Sequence, residues 1–328
     1  MPRAIVADAF GPPEVYVIRE HEAPPPGPGQ IRVAIKAIGI SYVDVLTAAG
    51  KYQVTPPLPF IPGSECAGIV EAVGEGVSNV AVGDRVMGSS FGGIFAEAGT
   101  FRASSFNKVP DALSLEEAAV FPPSYTTGFH ALVDRGRLQP GETLLVLGAA
   151  GATGIAAIQI GKSLGARVIA SASSEDKRQL CLKAGADAVV NTRSETWRDE
   201  VKAAAGGKAI DVVFDPVGGD MTDPAFRCLG YDGRYLVIGF TGGISSLKTN
   251  LPLVKTASLI GVQLRAFGEA EPDKQRANFD QVLELAATGK LKPVIGKVYA
   301  FDDYREAMNA AFKGEGAGRV VMRVDGSS

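Results

Sequence analysis

The feature that most constrains the fold is an alternation of strand-like and helix-like segments that begins at Glu142 and continues through most of the second half of the chain. Strands are predicted for TLLVLGA, ARVIAS, DAVVN, DVVFDPVG, GRYLVIGF and SLIGVQL, and helices for GIAAIQIGKSL, DKRQLCLKAG and WRDEVKAAAGG. Strands separated by helices usually pair in parallel, with helices on both faces of the sheet. The pattern therefore predicts an α/β fold with a doubly wound parallel sheet of the Rossmann type.

The first part of the chain has a different, β-rich pattern. Short runs such as IRVAIKAIGI and AGIVEAV are bounded by glycine and proline, which is typical of a β-barrel-like domain. Ser114 and Glu117 form a capping box that marks a change to helices, and the C-terminal segment predicts a helix and a strand that return to the first domain. Because 328 residues are too many for one compact core, we predict one domain from residues 1–123 and 266–328 and a second from residues 124–265.

Charge and cysteine content exclude several classes of protein. The net charge is −3 without a basic block, which disfavours nucleic acid as a partner. Three widely spaced cysteines do not form a disulfide scaffold and predict a cytoplasmic protein, as does the short apolar stretch at the N-terminus. Residues 143–161 carry no charge, but glycines interrupt them, so a buried strand, turn and helix is predicted rather than a membrane span.

A glycine-rich turn, GAAGATG at residues 148–154, joins the first strand of the alternation to the first helix. It has no lysine of a triphosphate-binding loop, and Ala149 occupies the usual position of the first fingerprint glycine. Gly151 allows close approach to a phosphate, Gly154 allows helix and strand to pack closely, and the helix N-terminus favours an anion. The turn is predicted to bind the pyrophosphate of a dinucleotide.

The end of the second strand indicates which dinucleotide is bound. Enzymes that use the unphosphorylated cofactor usually have Asp or Glu there, whereas this strand ends as ASASS. Serine hydroxyls at positions 171, 173 and 174, followed by Lys177 and Arg178, favour a 2′-phosphate and hence NADPH. Glu175 and Asp176 leave the alternative open, in which Ser174 is an ordinary helix cap and the two acids interact with the helix dipole.

Four stretches together carry a family resemblance: GETLLVLGAAGATGIAAIQIGKSLG, PPLPFIPGSECAGIVEAVGEGV, VGDRVMG and FPPSYTTGFHAL. They resemble the zinc-free, zeta-crystallin-like quinone oxidoreductases of the medium-chain dehydrogenase/reductase superfamily. The resemblance implies a GroES-like β-barrel catalytic domain beside a Rossmann NADPH-binding domain. It also implies a homodimer joined through the last Rossmann strands, near SLIGVQL.

The resemblance further implies roles for individual residues. Ser41 and Tyr52 match polar residues of the active site, and Thr127 matches a threonine that faces the nicotinamide carboxamide. Thr192 replaces the Tyr or His that the family usually has over the adenine ribose, and Arg193 is a candidate to compensate. The complete cofactor-binding set is Thr127, Gly151, Ala152, Thr153, Gly154, Ser173, Lys177, Thr192, Gly239, Phe240, Thr241, Val262 and Leu264.

The ligands of a catalytic zinc are missing from the sequence. Related alcohol dehydrogenases hold zinc with cysteine and histidine, whereas GSECAG has Ser64 at the histidine position and no cysteine follows GIS. The two histidines, His21 and His130, lie in a proline-rich loop and on an apolar helix. No metal is expected, so the acceptor must take up hydride by its own electronic structure, as quinones and α,β-unsaturated carbonyls do.

We therefore expect an NADPH-dependent reductase of quinones or related α,β-unsaturated carbonyls that acts on a small molecule. An enoyl-thioester or 2-alkenal reductase is the alternative within the same class. An NADPH-binding structural or regulatory protein, similar to a crystallin, is the alternative from another class. Tyr52 is either a hydrogen-bond donor to the acceptor or a packing residue of the cleft wall.

Overall fold

The computed structural model describes residues 1–51, 55–313 and 318–324. The chain forms two compact units, residues 1–123 with 292–328 and residues 124–291. The strands are β1 (Arg3–Ala7), β2 (Tyr16–Glu20), β3 (Gln30–Ile40), β4 (Glu65–Val73), β5 (Arg85–Ser89), β6 (Ala98–Arg102), β7 (Phe106–Lys108), β8 (Thr143–Val146), β9 (Arg167–Ala172), β10 (Ala188–Asn191), β11 (Ile210–Asp215), β12 (Leu229–Val237), β13 (Ser258–Gly261), β14 (Ile295–Ala300) and β15 (Arg319–Arg323). The helices are α1 (Tyr42–Ala48), α2 (Leu115–Ala119), α3 (Pro122–Phe129), α4 (Ala152–Ser163), α5 (Glu175–Lys183), α6 (Trp197–Ala204), α7 (Thr222–Phe226), α8 (Asn250–Lys255), α9 (Leu264–Ala270), α10 (Pro272–Ala287) and α11 (Tyr304–Lys313).

The second unit is built on a six-stranded sheet with the order β10-β9-β8-β11-β12-β13. All of its strand pairs are parallel. Numbered from its own first strand, the sheet has the order 3-2-1-4-5-6 of doubly wound dinucleotide-binding folds, and the order reverses between β8 and β11. The predicted Rossmann architecture is confirmed, and its ligand position is the carboxyl edge where β8 and β11 meet.

The uncharged stretch from 143 to 161 forms β8, the glycine turn and most of α4, as predicted. The side chains of β8 are buried, because strands of a parallel sheet are covered on both faces. Trp197, Phe226 and Tyr235 pack in the same core as Leu145 and Val213. In the described part of the chain, no helix has both the length and the apolar character that crossing a membrane requires.

The first unit contains a seven-stranded sheet and a separate antiparallel pair of β1 and β2. Strand β3 is its centre, since it pairs with β4, β6 and β15. Two register shifts in the β3–β4 pairing, between Arg32 and Val33 and between Ile35 and Ala37, let the strand bend. The C-terminal strand β15 runs antiparallel to β3, so the last segment of the chain completes the core of the first unit.

The structure corrects the position at which the chain returns to the first unit. Residues 266–291, predicted to belong to the first domain, lie in the second unit. There Phe267 stacks on His130, with ring centroids 3.9 Å apart, and the Asn278 side chain donates a 2.6 Å hydrogen bond to Asp134. An amphipathic helix pattern shows which face is buried but not against which partner, and this is why the sequence placed the boundary too early.

Candidate functional site

The turn between β8 and α4 has the geometry of a phosphate-binding loop. Gly148 adopts a left-handed conformation with φ of +54°, so the sharp bend occurs one residue before Ala149, which occupies the usual glycine position. The Ala149 amide donates to the Ser171 carbonyl at 3.1 Å, which ties the turn to the neighbouring strand β9. A Cβ atom on Gly154 would lie 2.6 Å from the Ala149 carbonyl oxygen. Gly154 is therefore required for helix and turn to pack closely, as predicted from its spacing.

The N-terminus of α4 is open to an anion. Gly151 is the N-cap residue, is exposed, and has no side chain to satisfy the first helical amides. Ala152 and Thr153 follow it in the first turn and are half-buried. Because the helix dipole adds to these free N–H groups, the turn suits the pyrophosphate of a dinucleotide.

Three loops converge at this carboxyl edge of the sheet. A Cβ atom on Gly148 would lie 2.8 Å from the Val217 side chain, so the loop after β11 covers the glycine turn. The Gly239 amide donates to the Asp215 carbonyl at 3.3 Å, and the Thr241 hydroxyl donates to the Pro216 carbonyl at 3.2 Å. The predicted residues Gly239 and Thr241 thus belong to the same loop cluster as Gly148.

Asp215, which is not among the predicted site residues, organises this loop cluster. Its buried carboxylate accepts hydrogen bonds from the amides of Val217 and Gly218, at 2.7 and 2.9 Å, and from the Tyr235 hydroxyl at 2.7 Å. Burial and the nearby carboxylate raise the pKa of Tyr235, so this hydroxyl remains a donor. The signal available in the sequence was an acid that ends an otherwise apolar strand, DVVFD, before PVGG.

The structure corrects the interpretation of Ser171 as a phosphate ligand. Ser171 is fully buried, where it accepts a 2.9 Å hydrogen bond from Trp197 Nε1 and shares another with the Thr192 hydroxyl, also at 2.9 Å. Thr192 follows β10 and is half-buried. These two hydroxyls bond to each other across the ends of β9 and β10, so Ser171 holds the neighbouring strand ends together.

Ser173 follows β9, Lys177 lies in the first turn of α5, and both are half-buried. Glu175, which made the choice of cofactor ambiguous, accepts hydrogen bonds from Arg178 at 2.8 Å and from Gln179 at 2.7 Å. Those partners hold the pKa of Glu175 below its usual range. Both carboxylate oxygens of Glu175 are therefore engaged within helix α5.

The remaining predicted cofactor residues lie on the same unit. Thr127 is a half-buried residue of α3, and the adjacent Gly128 brings that helix against α4, since a Cβ atom there would lie 3.0 Å from the Ile160 side chain. Val262 is buried directly after β13, and Leu264 begins α9. Phe240 is 56% exposed, which is unusual for an aromatic side chain.

In the first unit, Ser41 is the N-cap of α1. Its hydroxyl donates to Asp44 at 2.7 Å and accepts from the Asp44 amide at 3.2 Å, and the Ser41 amide donates to the same carboxylate at 2.8 Å. This reciprocal capping box commits the Ser41 hydroxyl to the start of the helix. Tyr52, the second predicted catalytic residue, lies outside the described residues.

A buried pair of carboxyl groups lies next to this cap. Glu65 on β4 is 1% exposed and forms an ion pair with Arg319 on β15, but its second oxygen has no hydrogen-bond partner among the described residues. Burial raises the pKa of Glu65 to about 7, with Arg319 opposing the shift and Asp44 adding to it. Burial also raises the pKa of Asp44, against the hydrogen bonds from the Ser41 hydroxyl and amide. One guanidinium therefore serves two buried acids.

A cleft of about 650 Å³ opens beside this pair, within the first unit. Its wall is largely apolar and includes Pro57, Phe60 and Phe91, while Ser64 and Asp44 also line it. A concave, mostly apolar surface with a few polar groups is the usual form of a small-molecule site. The cleft is therefore a candidate acceptor site.

The donor atoms of this region do not fit zinc. Ser64 and the buried Cys66 lie beside Glu65, and burial raises the pKa of the Cys66 thiol, whereas zinc binds thiolate or imidazole. Among the described residues, no group of three or more His, Cys, Asp and Glu side chains is placed to hold a metal ion.

Comparison with known proteins identifies the family of the chain. Residues 27–111 match the alcohol dehydrogenase GroES-like domain, and residues 152–288 match the family described as zinc-binding dehydrogenase. Quinone oxidoreductase-like protein 2 of Mus musculus is 36% identical over 93% of this chain and 88% of that protein. Quinone oxidoreductase of Homo sapiens is 32% identical over 98% and 97%.

The structure of quinone oxidoreductase from Escherichia coli complexed with NADPH has a TM-score of 0.86 at 28% identity and covers 98% of this chain and 99% of that one. The predicted GroES-like and Rossmann folds, and the family resemblance inferred from the sequence, are thus confirmed. This chain is an oxidoreductase and belongs to the quinone oxidoreductases of the medium-chain dehydrogenase/reductase superfamily.

Proposed function

We propose that this protein catalyses the NADPH-dependent reduction of quinones or related α,β-unsaturated carbonyls by hydride transfer without a metal. The names of its relatives support the choice of acceptor, and a set of oxygen donors and a protonated thiol that does not suit zinc supports a metal-free reaction. NADPH, when bound, supplies the hydride. The residues of the chain bind the two reactants, orient them and supply a proton.

The observation that carries the cofactor proposal is the open N-terminus of α4 beneath the left-handed turn at Gly148. Gly151, Ala152, Thr153 and Gly154 would hold the pyrophosphate through backbone amides, which need no side chain and no metal. Gly239, Phe240, Thr241, Val262, Leu264 and Thr127 would contact the nicotinamide end. The first three of these belong to the loop cluster organised by Asp215.

Ser173 and Lys177 would bind the 2′-phosphate, and Thr192 would lie beside the adenine ribose. The engagement of Glu175 by Arg178 and Gln179 supports NADPH over NADH, because these two side chains compete with the ribose hydroxyls for that carboxylate. A half-buried lysine and a serine hydroxyl are suitable partners for a phosphate.

The acceptor would bind in the apolar cleft of the first unit, and Ser41 and Tyr52 are the proposed catalytic residues. Pro57, Phe60 and Phe91 provide flat apolar contacts for a conjugated ring. Arg19 lines the same cleft, but it is ion-paired with Asp8. This lining favours a small uncharged acceptor over an enoyl thioester of coenzyme A, whose phosphates need a basic channel.

We further propose a cytoplasmic homodimer joined through β13. This strand is an edge of the sheet, and Leu259 on it is 49% exposed. An exposed edge with an apolar side chain is a hazard for aggregation unless another chain covers it. Replacing Leu259 with Lys should convert a dimer to a monomer in light scattering after gel filtration, and an unchanged mass would refute this interface.

Steady-state oxidation of NADPH with a panel of quinones, 2-alkenals and enoyl thioesters tests the proposed activity. We expect turnover to be highest with quinones and to be lower with NADH. Faster turnover of enoyl thioesters would establish the alternative reductase. Tight NADPH binding without turnover of any acceptor would instead indicate a structural or regulatory binding protein.

A further inference from the structure

The cleft of the first unit has two aromatic side chains in its wall, and the first of them is already packed. Phe60 exchanges backbone hydrogen bonds of 2.8 and 3.1 Å with Ala7, and its half-buried ring lies 5.8 Å from the ring of Phe10. Pro57 and Pro62 line the cleft on the same segment, and the φ angle of proline is fixed. This part of the wall therefore provides preformed apolar area rather than a ring that is free to stack on a ligand.

The second aromatic side chain is carried by a short loop, residues 90–93, which is tied to the cleft wall at both ends. The Ser90 amide donates to the Ser64 carbonyl at 3.0 Å, and the Gly93 amide donates to the Ile61 carbonyl at 2.7 Å. All four of these residues line the cleft. The backbone of the loop is thus fixed as a part of the wall.

Phe91 lies between these two ties and lines the cleft, and yet it is 68% exposed. Gly92 and Gly93 follow it with φ of +94° and +80°, left-handed conformations that favour glycine and that make the bend after the aromatic residue. A largely exposed ring on a fixed backbone can stack on a flat ligand without leaving other contacts. Stacking would remove its apolar surface from water and align two π-systems.

We propose that Phe91 is a specificity-determining residue that selects fused-ring quinones over open-chain α,β-unsaturated carbonyls by stacking on the acceptor ring. This inference rests on the proposed function and narrows its substrate class. The cleft volume of about 650 Å³ lies within the range of roughly 300–1,000 Å³ that is usual for drug-sized ligands, so there is room for a two-ring quinone. An open-chain 2-alkenal has no ring and gains little from Phe91.

Steady-state kinetics with a naphthoquinone and a straight-chain 2-alkenal, both at saturating NADPH, test this selection. Phe91→Leu keeps an apolar side chain but removes the ring. It should lower kcat/KM with the naphthoquinone about five- to tenfold, mainly through KM, and with the alkenal less than about twofold. Phe91→Tyr keeps the ring and should retain the selectivity of the wild type. Val43→Ala shortens a non-aromatic side chain of the same cleft and should change kcat/KM for both acceptors by the same factor.

Stacking can also be measured without turnover. The chain has one tryptophan, Trp197, which is 4% exposed and belongs to the second unit, so Phe91→Trp introduces an exposed indole into the cleft wall. With saturating NADP⁺, which has no hydride to transfer, the naphthoquinone should quench this indole along a saturable curve. Tyr231→Trp, at an 84% exposed position of the second unit, is the control and should show only linear, collisional quenching.

The outcomes distinguish the role of Phe91 from the proposed function. If the wild type reduces the naphthoquinone but Phe91→Leu affects both acceptors equally or neither, quinone reduction stands and the selection by Phe91 is refuted. Linear quenching in Phe91→Trp would refute the stacking in the same way. If the wild type reduces the alkenal alone, hydride transfer stands without selection of quinones. If it oxidises NADPH with neither acceptor, both proposals fail.

Discussion

The glycine turn of the second unit and the buried acid pair of the first unit are two polar sites constructed in opposite ways. The turn is local: residues 148–154 supply its bend, its open amides and its close packing. The acid pair is assembled from three distant parts of the chain, Asp44 on α1, Glu65 on β4 and Arg319 on β15. A backbone site is thus encoded in one short motif, whereas a side-chain site depends on the whole fold of its unit.

The difference also concerns how each site tolerates charge. The turn offers partial positive charge from amides that water can reach, and an anion binds there without prior desolvation of an ionised side chain. The acid pair is charged and excluded from water, so the folded state accommodates it only while Arg319 and a proton balance its negative charge. The first site should therefore be sensitive to shape, and the second to charge and pH.

The largest expected effect tests the sensitivity to charge. At pH 8.5, Arg319→Met should lower the free energy of unfolding by about 3–5 kcal/mol, because it leaves buried acids without a counter-charge. Arg323→Met on the same strand breaks a more exposed pair with Glu116 and should have an effect of less than about 1 kcal/mol. Urea denaturation measures the unfolding free energy of both variants. Equal effects would mean that the buried and the exposed ion pair contribute equally to stability.

A second prediction concerns pH. The pKa of Glu65 rises from 4.5 unfolded to about 7 folded, so between these values the native state binds more protons than the unfolded state. Stability should fall as pH rises through this window, by an amount on the order of 3 kcal/mol, and then level off. Glu65→Gln should flatten the curve of unfolding free energy against pH, and a slope of unchanged size would assign it to other groups.

A third prediction tests the sensitivity of the turn to shape. Gly154→Ala should lower the free energy of unfolding by about 1–3 kcal/mol, because its Cβ atom would meet the Ala149 carbonyl. Gly151→Ala should cost less stability than Gly154→Ala, since its Cβ atom would lie 3.2 Å from the Gly148 carbonyl oxygen, a less severe approach than 2.6 Å, and it should weaken NADPH binding. Urea denaturation measures the stability of each variant, and fluorescence titration measures its affinity for NADPH. Equal changes of stability and affinity in the two variants would contradict the separate roles given to Gly151 and Gly154.

The last prediction concerns cofactor choice. A charge-assisted hydrogen bond contributes about 1.5–3 kcal/mol, so Lys177→Ala should weaken NADPH binding by at least about tenfold while NADH binding stays the same. Lys183→Ala, at the exposed end of the same helix, is the matched control and should change neither. Equal loss for both cofactors in Lys177→Ala would place this side chain away from the 2′-phosphate.

Most of the fold could be predicted from local patterns. The alternation after Glu142 predicted the parallel sheet, and the Ser114–Glu117 capping box is present as expected. The return of the chain to the first unit was placed too early, because the stacking of Phe267 on His130 joins residues far apart in sequence. For the same reason the interpretation of Ser171 was wrong: its partners Thr192 and Trp197 lie on later elements.

The sequence by itself determined the succession of strands and helices in the second unit and the position of its glycine turn, because helix and strand periodicities and glycine conformations are properties of neighbouring residues. Only the tertiary structure revealed the buried acid pair and the engagement of Asp215 and Glu175, because burial and hydrogen bonding depend on which elements pack together. Desolvation raises the pKa of Glu65, and no pattern within GSECAG could show that Arg319, more than 250 residues later, is its partner.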